Sequence, residues 1–165
     1  MRVLIAVLFY FLYWGVCFLG TGTDRKNLAG LRSYPDSVQR QVREHPVPGA
    51  SVPKAKPLYS VLLGNLLLFT GVFSVLGLAL KSVLRLTDYW SAFLYFLALG
   101  EGLGLFDLLV IDLLWWRNTK RIRFSFLPEK SFYQDPQKHL ESFWRGIPLF
   151  VAVAALAAGI VVAVP

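Results

Sequence analysis

Cysteine occurs once (Cys17) in 165 residues, and histidine twice (His45 and His139). A single thiol excludes an intramolecular disulfide, a CxxC redox pair and a thiolate zinc site. The histidines fall in no H-x-x-x-H or H-E-x-x-H spacing, which argues against a zinc hydrolase. Neither lies within an apolar run, so paired axial haem ligation inside a membrane is not expected. No cofactor and no metal are anticipated. There is no G-x-S-x-G elbow and no Walker loop. Charge is also scarce: 16% of residues are Asp, Glu, Lys or Arg, against about 25% in soluble domains.

What fills the chain instead is apolar: 56% hydrophobic and 15% aromatic residues, with a mean hydropathy of +0.54. That composition excludes a disordered or collagen-like chain and makes an ordinary water-soluble enzyme a poor fit. Residues 3–20, 58–80 and 146–165 contain no charge, and residues 89–116 are interrupted only by Glu101, Asp107 and Asp112. A bilayer core of about 30 Å takes about 20 helical residues, so each run is long enough to span it. Helices of a soluble bundle alternate apolar and polar faces, whereas these are apolar all round. The expected fold is all-α: a polytopic integral membrane protein of four transmembrane helices, forming a single membrane domain over 1–165.

The first run resembles a signal peptide in following Arg2, but no small-x-small cleavage site succeeds it. It is expected to be retained. Seven Lys or Arg fall in residues 21–57, two in 81–88 and seven in 117–145. By the positive-inside rule the first and third loops are cytoplasmic, loop 81–88 is external, and both termini face out. The expected location is a cell membrane, with a bacterial cytoplasmic membrane the natural setting.

Each cytoplasmic loop is expected to carry one short amphipathic helix. Pro35 suits a first helical position, and Val38 and Val42 share a face of 35–44. Pro46, Pro48, Pro53 and Pro57 then forbid helix. In the third loop Asp135-Pro136 reads as N-cap and first turn of a helix over 136–145. Leu140, Phe143 and Trp144 give that helix an apolar face for the membrane surface, and Gly146 with Pro148 is expected to break it from the last span.

The three acids within 89–116 are the candidate site. A carboxylate at membrane depth costs a few kcal/mol, so it usually faces protein or water. Counted inward from Trp116 at about 1.5 Å per residue, Asp112 lies about 6 Å deep, Asp107 about 13 Å and Glu101 about 22 Å. No Lys, Arg or His falls inside any run, so each acid lacks a cation, and desolvation then favours the neutral form of a carboxyl. Asn65, Thr70 and Ser74 of the second run are the expected hydrogen-bond partners. Gly100, Gly102 and Gly104 around Glu101 allow either close helix packing or a bend. On an α-helix Asp107 and Asp112 are turned roughly 140° apart and do not readily share one ion. Ala155, Gly159 and Ala163 form a small-residue face suited to helix contact, within the chain or with another copy.

Arg117, Lys120, Arg121 and Arg123 follow Trp115-Trp116 directly, where they suit anionic lipid headgroups. Nucleic acid is not an expected partner despite the net charge of +7, because the charge is split between two short membrane-side loops without a binding motif. The expected function is a transport-related or accessory membrane subunit, with a homo-oligomer or larger membrane complex as its candidate assembly, that uses Glu101, Asp107, Asp112 and Asn65 for substrate or proton binding. The alternatives are an enzyme acting on lipid headgroups and a purely structural membrane partner.

Overall fold

In the computed structural model, residues 1–45, 52–54 and 56–164 are described. The expected spacer prolines Pro46 and Pro48 lie outside them, whereas Pro53 and Pro57 stand in irregular backbone. Helices dominate: α1 (Arg2–Leu19), α2 (Asp24–Ala29), α3 (Asp36–Glu44), α4 (Leu58–Leu84), α5 (Tyr89–Phe106) and α6 (Gln137–Ala163). Short 3₁₀ turns lie at Leu31–Ser33 and Lys130–Tyr133, and α5 continues as a π-helix over Asp107–Trp116. Among the described residues there is no strand, only an isolated bridge between Phe124 and Leu127. Four segments are long and apolar enough to cross a membrane: Arg2–Leu19, Leu58–Leu84, Tyr89–Trp116 and Lys130–Ala163. The chain is an all-α, multi-pass membrane protein.

Two compact units divide it. The first comprises Met1–Phe9, Lys56–Leu105 and Phe143–Pro165. Here α4 ends in a left-handed cap at Arg85 (φ 52°), and Arg2 donates to the carbonyls of Leu84 and Arg85. The first-unit core is largely aromatic, with Phe73 stacked on Phe96 and Phe150 at centroid distances of 5.7 and 6.3 Å. Gly100 serves this packing. A Cβ there would stand 2.7 Å from Phe150 Cδ1, so the glycine admits the ring to the α5 backbone. The bend considered for the glycines is not found: α5 is regular through Phe106, and its geometry changes only at Asp107.

The second unit comprises Tyr10–Ala55 and Phe106–Ser142. Leu28, Leu31, Tyr34, Val38 and Val42 from the first loop form one buried cluster with Trp116, Ile122, Phe124, Leu127 and Tyr133. The short helix expected over 35–44 is thus α3, but Val38 and Val42 are covered by protein rather than by lipid. Polar bonds bind the two loops as well. Asn27 Nδ2 donates to the Arg121 carbonyl at 3.0 Å, the Tyr34 hydroxyl donates to the Ile122 carbonyl at 2.8 Å, and Asp24 accepts from Ser125.

The other short helix is not separate. Asp135 does accept from the Gln137 N–H at 2.9 Å, as a cap should, but α6 then runs on through Gly146 and Pro148. Proline lacks an N–H and so removes one rung of the helical ladder. In apolar surroundings a broken helix would leave several backbone groups unbonded, so continuing with one missing rung is the better solution.

Candidate functional site

Asp107 to Trp116 carries the candidate acids, and its geometry decides their arrangement. A π-helix bonds residue i to i+5, as the Arg117 N–H does to the Asp112 carbonyl at 3.3 Å. Residues five apart are therefore neighbours on one face. Burial follows that period: Leu109 and Leu114 are both exposed, whereas Ile111 and Trp116 are both buried. Asp107 and Asp112 are five apart and both half-buried. The separation of roughly 140° expected from α-helical geometry is thus replaced by a shared face, because the helix changes type at Asp107.

The second half of α1 packs beside this segment. Tyr10 stacks on Phe106 with centroids 5.6 Å apart, and Trp14 meets Trp115 edge-on at 6.2 Å. Tyr13 and Cys17, one α-helical turn apart on α1, lie within electrostatic range of both Asp107 and Asp112.

Asp112 has a further partner. Its Oδ2 lies 2.9 Å from His139 Nδ1, with side-chain exposures of 15% and 5%. The Trp116 ring meets the imidazole edge-on at 4.8 Å. His139 Nε2 is buried without a hydrogen-bond partner among the described residues. Because α6 is unbroken, His139 belongs to the helix that continues into the last span, so the side-chain partner of Asp112 comes from the extension of that span. The reading of the sequence passed over His139 and Tyr13. His139, Phe143, Gly146 and Phe150 recur at four, three and four residues, which places them on one helix face once Pro148 is not taken as a break.

The remaining candidates belong to the first unit or are engaged elsewhere. Glu101 and Asn65 belong to the first unit, both half-buried. Glu101 Oε1, Thr70 Oγ1 and Ser74 Oγ are buried there without hydrogen-bond partners among the described residues. Of the four basic residues after Trp116, Lys120 is exposed and the others are half-buried. Arg121 donates to the carbonyls of Phe18 and Thr21 at the end of α1, and its guanidinium lies 3.9 Å from the Phe18 ring centroid. Gly22, at φ +107°, gives it room: a Cβ there would stand 2.7 Å from Nη2. Arg123 donates to the Pro128 carbonyl at 3.1 Å, and the Arg117 carbonyl accepts from Gln134.

No protein family, curated protein or solved structure matches the chain. The chemistry of the site therefore rests on its own geometry. Among the described residues no three His, Cys, Asp or Glu side chains stand together as a metal-ligating group. What the cluster offers is exchangeable protons: two carboxyls on one π-helical face, a phenol, a thiol and an imidazole.

Proposed function

We propose that this protein is a transport-related membrane subunit in which Asp107 and Asp112 bind and release protons. The observation that carries the reading is the π-helical turn, which places two acids five residues apart on one half-buried face. Two like charges so placed repel each other, which favours a proton shared between them. Intramembrane acids are rare because they are costly, and where they persist they commonly mark ion or proton pathways. Glu101 and Asn65 are further candidate proton-binding groups, within the first unit.

The membrane is a cell membrane, bacterial and cytoplasmic, with both termini outside and the loops 21–57 and 117–145 inside. Fourteen of the 17 Lys and Arg residues lie in those two loops. Lys120, with Arg117, Arg121 and Arg123 behind it, favours anionic lipid at that face. The small-residue face of α6 suits association with another copy or a larger complex.

Proton flux in vesicles tests the reading. Protein reconstituted with an enclosed pH-sensitive dye is given a potassium diffusion potential. Flux above that of empty vesicles is expected, with its loss in Asp107→Asn and Asp112→Asn. Flux no greater than in empty vesicles would contradict a transport role.

A further inference from the structure

Resting on that reading, we propose that His139 is the proton-exchange residue of the site, passing protons between Asp112 and a water or polar solute in the loop unit. His139 is 5% exposed, and its two ring nitrogens face different surroundings. Nδ1 is held by Asp112 Oδ2 at 2.9 Å, which fixes the ring orientation and makes Nδ1 the donor of the neutral imidazole. Nε2 is then the acceptor, and it is buried without a partner among the described residues. A buried acceptor without a bond carries the full desolvation cost of that nitrogen. A proton taken up there completes the ring's hydrogen bonding and leaves an imidazolium against the Asp112 carboxylate. Release from Nδ1 to Asp112 then restores the neutral ring, so one proton has entered and one has been passed on.

The surrounding charges leave this exchange to Asp112. From the π-helix, Asp112 faces the ring directly, Asp107 lies one π-turn behind it, and Trp116 supplies an uncharged edge. Tyr133, packed on Trp116, spends its hydroxyl on the Phe124 N–H and the Leu127 carbonyl. On α6 itself, Lys138 is paired with Asp36 of α3 at 3.0 Å, and Glu141 accepts from Gln137. No Lys or Arg is paired with Asp112 among the described residues.

The test uses the intact protein in lipid vesicles, labelled with ¹⁵N-histidine. Only two histidines give signals, and the exposed His45 is the internal control. As pH is lowered stepwise, the His139 signals should pass from an imidazole protonated at Nδ1 to an imidazolium. Tryptophan fluorescence should fall in the same step, because an imidazolium beside Trp116 quenches it, and His139→Gln should lose both that step and the proton flux. The wild-type spectra decide even if the variant folds poorly. His139 signals that stay in one state while those of His45 change would overturn the proposal, as would flux unchanged in His139→Gln. Flux lost in Asp107→Asn but kept in His139→Gln would overturn the role of His139 alone. No flux in any form would remove the transport reading as well.

Discussion

At Gly100 the backbone of α5 has room for a hydrogen and nothing larger. A methyl group would press on Phe150 at 2.7 Å, whereas at Gly71 no heavy atom lies within 4 Å. Gly100→Ala should therefore cost about 1–3 kcal/mol by overpacking. Gly71→Ala should gain up to about 1 kcal/mol by removing helical glycine. Thermal unfolding in detergent should move the two variants in opposite directions, and equal shifts would discount the close approach. In the loop unit, Tyr34→Phe leaves the Ile122 carbonyl without its donor, a loss of about 1–3 kcal/mol. Burial, then the nearby Tyr133 and Asp24, raises the Tyr34 pKa above its ordinary 10.0. An acid whose folded pKa is raised stabilises the fold fully below its unfolded pKa, and that contribution is lost as pH rises past it. Melting temperature should thus fall above about pH 10 in the wild type, and less steeply in Tyr34→Phe. Parallel pH profiles for the two proteins would contradict this.

Among the elements, the spans were legible in the sequence because charge is absent from long runs, and length alone then decides that they are helices. Helix type was not. Residues 107–116 are apolar on nearly every side, so no polar stripe records whether the period is 3.6 residues or that of a π-helix. The acids were found by their cost in an apolar run, but their shared face could not be. The break assigned to Gly146 and Pro148 failed for a related reason. Proline ends helices readily where water takes up the freed carbonyls, and a bilayer offers no such outlet. Pro148→Ala restores the rung to the Trp144 carbonyl, and should raise the melting temperature in detergent while leaving helix content by circular dichroism unchanged. A fall in stability would mean that the proline is needed for packing. Nothing in the sequence links the segment around Asn27, Leu31 and Tyr34 to the stretch ending at Arg123. Their meaning became visible only as two halves of one buried cluster.

For the whole molecule, the orientation proposed from the loop charges is tested without reference to function. In a Cys17→Ala background, cysteines at the exposed Ser37 and Ser131 should be shielded from an impermeant thiol reagent in intact cells, and one at Ser82 should be labelled. The opposite pattern would invert the topology. The central claim is that the acids on the π-helical face exchange protons while the protein sits in its bilayer. Infrared difference spectroscopy of the reconstituted protein measures this directly, through the carbonyl stretch of protonated carboxyl groups as pH is stepped. The expected result is a carboxyl band that grows as pH falls, shifts in deuterium oxide, and is diminished in Asp107→Asn and again in Asp112→Asn. A wild-type carboxyl band that does not change with pH, or one untouched by both substitutions, would contradict it.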